Sequence, residues 1–181
     1  KDLDQVIERA KKAGVKVIVN NGLNPESNRK TLELSKKYTL VKPALGYYPC
    51  ECDLISDEEF DKELKFIDKN KNKLIAIGEV GLDKKNDNDF NKQIICFKKF
   101  IELSKKLDKP IIVHSRKAEQ EAIDILEELK AKKVVMHCFS GKKKLIKRII
   151  DNKWLMSIPC NVVRSQQFQE LVKLLPLKLL M

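Results

Sequence analysis

Segments with two different spacings of apolar residues alternate along the chain. One kind places apolar residues three or four positions apart, which predicts amphipathic helices over residues 2–13, 25–37, 56–70, 89–107, 117–130, 142–152 and 166–174. Between them lie short runs of apolar and β-branched residues, which predict strands over residues 15–22, 40–49, 74–82, 110–114, 134–137, 154–160 and 177–181. Helix and strand therefore follow one another along the whole sequence.

The predicted strands are apolar on both faces, which is typical of a parallel sheet covered by helices. A helix precedes the first predicted strand, so we expect one further strand before it. Eight strands that alternate with helices make a (β/α)8 TIM barrel. We therefore predict an α/β fold, with residues 1–181 forming a single TIM-barrel domain that is incomplete at both ends. A doubly wound open sheet is the alternative, but the segment NNGLNPESN after the first strand carries no Gly-rich phosphate loop.

Composition and charge exclude few of the possible functions. The chain is 43% apolar, as globular proteins are, and its net charge is +11. That charge suits a polyanionic partner such as nucleic acid, but lysines are spread over every predicted helix, so a lysine-rich solvated surface explains it as well. Five cysteines with irregular spacing indicate reduced thiols. With no apolar run long enough to cross a bilayer and no signal peptide, we expect a cytoplasmic location and no membrane partner.

Three predicted strands carry a potential metal ligand at or near their ends. Glu79 lies in the strand 74–82, and the only two histidines, His114 and His137, end the strands 110–114 and 134–137. The C-terminal ends of barrel strands meet on one face, where active sites lie. Any one of these residues alone is more often structural or solvated, but three at equivalent places favour a metal site. Carboxylate and imidazole suit Zn²⁺, Mn²⁺ or a similar ion, which would activate a water molecule.

Four blocks of the sequence resemble, in order, the motifs of the TatD family of metal-dependent hydrolases. They are IAIGEVGLD, PIIVHSRKA, VMHCFSG and MSIPCNVVRS, and the resemblance covers essentially the whole chain. It implies a TIM barrel of the amidohydrolase type. It also implies a deoxyribonuclease that uses two divalent ions (Mg²⁺, Mn²⁺ or Zn²⁺) and acts on DNA, single-stranded DNA in particular.

The resemblance also implies roles for individual residues. Glu79 would lie between the two metals, and His114 and His137 would bind the second of them. Asp83 would hydrogen-bond to the ligands without binding a metal itself. Arg116 could hold a phosphate oxygen or form a salt bridge with the following helix. We therefore predict Glu79, His114 and His137 as metal ligands and Glu79, Asp83 and Arg116 as catalytic residues.

The sequence departs from the family pattern at several points. The family's H-x-H pair and its last aspartate, which would serve as general base, match no residues here. Tyr48 stands where a histidine is common. Cys138, next to His137, is expected to face the other side of its strand and to pack as a small apolar residue.

Two other functions remain open at this point. The same metal centre could act on a different ester or amide, such as an aminoacyl-tRNA or a small cyclic amide, because barrel loops support many chemistries. The chain could also be a relative that binds a ligand without catalysis, a reading supported only by the missing ligands.

Overall fold

The computed structural model describes residues 2–52, 54–85 and 89–181. Its helices are α1 (Leu3–Lys12), α2 (Pro25–Lys37), α3 (Pro49–Cys52), α4 (Asp57–Lys69), α5 (Phe90–Leu107), α6 (Glu119–Glu128), α7 (Lys143–Asp151) and α8 (Gln166–Leu174). Its strands are β1 (Ile18–Asn21), β2 (Val41–Leu45), β3 (Ala76–Asp83), β4 (Ile111–Arg116), β5 (Val134–Met136) and β6 (Leu155–Met156). Short 3-10 helices cover Lys71–Lys73, Cys160–Val163 and Leu177–Leu179. Within the described ranges, no helix combines the length and apolar character needed to span a membrane.

The strands form one parallel sheet whose order in space is their order along the chain, from β1 to β6. A doubly wound sheet would reverse this order at a switch point. The described strands show no such reversal, and at least one helix separates each strand from the next. This is the layout of a TIM barrel, so the predicted fold class is confirmed and the doubly wound alternative was wrong.

Apolar side chains cover both faces of the sheet. The larger layer lies between the strands and the helices and holds the bulkiest buried side chains, Trp154, Phe60, Phe97, Phe100 and Phe139. The smaller layer, on the inner face, consists of Ala44, Ala76, Ile112 and Val135. Because successive residues of a strand point to opposite faces, strands between two such layers are apolar throughout, as the sequence shows.

A buried carboxylate ties α2 and α4 to the end of β2. Glu63 is 2% exposed, and it accepts hydrogen bonds from Arg29 Nη1 and, at 2.8 Å, from Asn28 Nδ2. The Asn28 side chain also makes two hydrogen bonds with the Gly46 main chain. Its Nδ2 donates to the Gly46 oxygen at 2.9 Å, and its Oδ1 accepts from the Gly46 nitrogen at 3.2 Å. These contacts fix the path of the chain as it leaves β2 towards Tyr48.

The structure differs from the predicted elements mainly at three strands. The strand predicted over residues 154–160 is reduced to Leu155–Met156, and Cys160 begins a 3-10 helix. The strand predicted over residues 177–181 was wrong, because Leu177–Leu179 form a 3-10 helix and only Leu180 makes a single bridge, to Met156. The segment 40–49 was predicted as one strand, but β2 ends at Leu45. Pro49 instead begins the short helix α3, since the fixed φ of proline suits the first turn of a helix.

Strands β3 and β4 approach each other closely at Gly81, which pairs with His114. A Cβ atom at Gly81 would lie 2.0 Å from the His114 carbonyl oxygen, and its φ of +140° is one that side chains rarely allow. Only glycine therefore fits at this point, which lies between Glu79 and Asp83 on β3.

Replacing Gly81 with alanine is expected to lower the free energy of unfolding by about 3 kcal/mol or more, because strain and a main-chain clash act together. Gly14→Ala is the matched control, since Gly14 has φ +82° but open space around the added Cβ. In that variant the free energy of unfolding should fall by only about 1 kcal/mol, the cost of a side chain in the left-handed region. Urea unfolding measures both, and equal losses would contradict the steric explanation.

Candidate metal centre

Polar side chains gather at the C-terminal ends of β3 and β4. Glu79 and Asp83 lie on one face of β3 and His114 and Arg116 on one face of β4, because alternate residues of a strand point the same way. The register pairs Asp83 with Arg116, and parallel strands carry such ends to the same edge of the sheet. Four residues predicted from the sequence are therefore neighbours in the structure.

The Asp83 carboxylate is the centre of this cluster, and its side chain is 0% exposed. Its Oδ2 accepts hydrogen bonds from Arg116 Nε at 2.9 Å and Nη2 at 2.6 Å, and it lies 2.8 Å from His114 Nε2. Burial raises the pKa of Asp83, but the hydrogen bonds from Arg116, the Lys85 main chain and His114 outweigh it and lower the pKa to about 2. Asp83 is thus ionised at neutral pH. Arg116 pairs with this neighbouring strand and not with the following helix.

His114 lies between two carboxylates. Its Nδ1 is 3.1 Å from Glu79 Oε1, and its Nε2 faces Asp83. Burial lowers the pKa of His114, but the contacts with Glu79 and Asp83 outweigh it and raise the pKa above its ordinary value. Because carboxylates only accept hydrogen bonds, both contacts are made best when both ring nitrogens carry a proton. Glu79 and Asp83 thus contact opposite nitrogens of the same ring.

Glu79 lies where the pairing of β3 with β4 is irregular. The register shifts between Ile77 and Val80, so Glu79 falls inside the shift. Irregularities of this kind often redirect a side chain beside an active site. The Glu79 side chain is 13% exposed, and its Oε1 contacts the His114 ring.

A buried glutamine, which the sequence analysis missed, fixes the main chain at Asp83. Gln93 of α5 is 0% exposed; its Oε1 accepts from the Asp83 nitrogen at 2.8 Å and its Nε2 donates to the Asp83 oxygen at 3.2 Å. The signal was present, because Gln93 is a polar residue four positions before Phe97 on the apolar face of the helix. An amide in that position needs a polar partner in the core.

Tyr48 closes one side of the cluster. Its hydroxyl is 3.2 Å from His114 Nε2 and 3.3 Å from Asp83 Oδ2, and the two rings are 4.8 Å apart between centroids. Burial raises the pKa of the Tyr48 phenol, and the nearby Asp83 charge raises it further. The hydroxyl is therefore a neutral hydrogen-bond donor beside the candidate ligands.

Among the described residues, His137 takes no part in the side-chain hydrogen bonds of this cluster. It follows β5 directly, and its Nδ1 is 2.9 Å from Ser157 Oγ, a residue just after β6. Cys138 has φ +46° and its sulfur lies 3.5 Å from His137 Nε2. The prediction that Cys138 packs on the other side of the strand was wrong, because β5 ends at Met136 and the left-handed turn brings the thiol back to the imidazole.

The donor set suits a divalent metal, although the described side chains do not form a ready cage. No group of three or more His, Cys, Asp or Glu residues within the described ranges is arranged to hold an ion. Glu79 and His114 nevertheless supply the carboxylate and imidazole that such ions prefer. One buried amide oxygen, Asn21 Oδ1, also has no hydrogen-bond partner among the described residues. Because a metal-bound imidazole must be neutral, a bound ion would take one of the two His114 ring nitrogens that now face carboxylates.

Comparisons with known proteins agree with this chemistry. The sequence matches the family described as TatD related DNase over residues 1–181. An uncharacterised metal-dependent hydrolase of Methanocaldococcus jannaschii is 38% identical over 180 residues, covering 99% of this chain and 70% of that protein. The human deoxyribonuclease TATDN3 is 35% identical over 191 residues, covering 98% of this chain and 69% of that protein.

A solved structure shows the same fold. The crystal structure of YJJV, a TatD homologue from Escherichia coli, superposes with a TM-score of 0.91 at 26% identity, and the match covers 99% of this chain and 71% of that one. The resemblance predicted from the motif blocks is thereby confirmed, together with the barrel fold and the dependence on a divalent metal. The chain belongs to the TatD family of metal-dependent hydrolases.

Proposed function

We propose that this chain hydrolyses phosphodiester bonds of DNA, single-stranded DNA in particular, with two divalent ions held at the barrel mouth. The observation that carries the proposal is the cluster of Glu79, Asp83, His114 and Arg116, which combines metal-ligand chemistry with an arginine beside it. The name of the human relative, a deoxyribonuclease, supports DNA as the substrate. The net charge of +11 is consistent with a polyanion.

Glu79, His114 and His137 are the proposed metal ligands. A bound divalent ion lowers the pKa of a water molecule, which makes it a nucleophile near neutral pH. For His114 to bind, one ring nitrogen must be free of its proton, and the hydrogen bond from the other ring nitrogen to its carboxylate would then hold the ring in place. The Ser157 hydroxyl can accept a hydrogen bond from His137 Nδ1, which would leave Nε2 of that ring to bind the ion in place of its present contact with the Cys138 thiol.

Asp83 and Arg116 would act together on the substrate side. The Arg116 side chain is 41% exposed, although two of its nitrogens donate to Asp83. Asp83 thus fixes one edge of the guanidinium and leaves its other N–H groups for a phosphate oxygen to accept from. In this role Asp83 positions Arg116 and His114 without touching the substrate.

The proposed activity is tested with the full-length protein and a single-stranded oligonucleotide. We expect nucleotide release with Mn²⁺ or Mg²⁺ and none with a chelator, because the nucleophile depends on the ion. His114→Ala should weaken metal binding by about 100-fold or more. Loss of a residue that only hydrogen-bonds to a ligand costs up to about that much, and loss of a ligand should cost at least as much. Lys85→Ala removes an exposed nearby charge and should behave as the wild type.

Failure of folded, metal-loaded protein to cleave DNA would rule out the nuclease. Cleavage of a carboxylic ester or amide under the same conditions would then favour the alternative substrate class.

The low pKa of Asp83 gives a pH dependence of stability. Because the pKa of Asp83 in the folded protein, about 2, is below its ordinary value of 3.8, the ionised form stabilises the fold above pH 4, and this contribution is lost as the pH falls towards 2. In chelator, Asp83→Asn should be less stable than the wild type at pH 7 by on the order of 2 kcal/mol. Urea unfolding should show this difference narrowing below pH 4; a difference that stayed constant down to pH 2.5 would contradict the assignment.

A further inference from the structure

One polar side-chain atom in the described part of the chain is buried without a hydrogen-bond partner. It is Oδ1 of Asn21, the last residue of β1. Buried carbonyl oxygens nearly always accept a hydrogen bond or contact an ion, because losing water without a replacement is costly. An orphaned oxygen therefore marks a place where a donor or a cation belongs.

The strand pattern directs Asn21 into the barrel. Its neighbour Asn20 donates from Nδ2 to Thr31 Oγ1 of α2 at 2.7 Å, so Asn20 faces the helix layer. Val19 packs against the inner apolar layer. Alternate residues of a strand share a face, so Asn21 points inward as Val19 does.

The Asn21 oxygen lies against the segment that carries Glu79. A Cβ atom built at Gly78 would be 3.4 Å from Asn21 Oδ1, and the Glu79 nitrogen donates to the Gly22 oxygen at 3.3 Å. Asn21 is thus adjacent to β3 at the residue before the candidate ligand. Because Gly78 has no side chain, nothing from that position covers the amide.

We propose that Asn21 contributes its carboxamide oxygen to the metal centre, as a further oxygen donor beside Glu79. The inference rests on the metal centre proposed above and adds a residue that neither the motif blocks nor the strand-end histidines indicated. A neutral amide oxygen is a hard donor, of the kind that Mg²⁺, Mn²⁺ and Ca²⁺ accept, whereas Zn²⁺ favours nitrogen and sulfur. Asn21 would therefore bias the site towards the harder ions.

Stability and metal affinity distinguish a structural role of Asn21 from a role at the metal. If Asn21 only supported the fold, replacing it would destabilise the protein and leave metal affinity unchanged. If it serves the metal, the apolar variant Asn21→Leu removes an unsatisfied buried group. The metal-free variant should then unfold at the same temperature as the wild type or a higher one, while its affinity for the metal falls.

The test is metal binding by isothermal titration calorimetry on the full-length protein, with Mn²⁺ and Zn²⁺ as probes. We expect Asn21→Leu and Asn21→Ala to weaken Mn²⁺ binding by about tenfold or more and Zn²⁺ binding by less. Asn21→Asp keeps an oxygen at the position and should bind Mn²⁺ at least as tightly as the wild type. Asn20→Ala is the matched control on the same strand and should leave both affinities unchanged.

Two results would overturn the inference, and they differ from failure of the proposed function. Unchanged Mn²⁺ affinity in folded Asn21→Leu and Asn21→Ala would show that the oxygen plays no part at the metal. A loss of affinity in Asn21→Asp as large as that in Asn21→Leu would show that the amide serves packing instead. If the wild type itself bound neither ion, the proposed metal centre would fail first.

Discussion

The structure of the site depends on one buried carboxylate oxygen, Oδ2 of Asp83. Arg116 donates two hydrogen bonds to it, His114 lies 2.8 Å away, and the Tyr48 hydroxyl lies 3.3 Å away. A buried charge with no exposed surface persists only when several donors replace its water shell. The donors come from β4 and from the loop after β2, so a single anion on β3 fixes parts of three consecutive βα units relative to one another.

The main chain around Asp83 is shaped to permit this. Gly81 lets β3 approach β4 where a side chain would collide with the His114 carbonyl, and Gln93 of α5 holds the Asp83 main chain with both of its amide atoms. The close approach places the end of β3 beside the end of β4. Rigid strands with packed supports are what a catalytic constellation needs, because small displacements of ligands cost much of the activity.

Much of the fold could be predicted from the sequence, because strands apolar on both faces occur in few architectures. His114 and Glu79 could be found from their places near the ends of such strands. Other features depend on contacts between distant residues and left no local pattern. The partner of Arg116 is an example, since only the register of β3 and β4 shows that it is Asp83. The orphaned oxygen of Asn21 likewise becomes visible only when every neighbour is known.

Local backbone geometry explains the wrong predictions. Residues 177–181 are apolar enough for a strand, but Pro176 is followed by a 3-10 turn and one bridge. Cys138 was placed by extending the alternation of β5 one residue too far, past the end of the strand at Met136. The second error arises where a strand ends, and the ends of elements are their least certain part.

The central claim is that Glu79, His114 and His137 hold divalent metal at the barrel mouth. The most direct test is a crystal structure of the full-length protein grown with Mn²⁺, with anomalous diffraction recorded at the manganese edge. The account predicts an anomalous peak within about 2.0–2.4 Å of a ligand atom of Glu79, His114 and His137, between the ends of β3, β4 and β5. A fully loaded protein whose anomalous peaks all lay away from these three residues would contradict it.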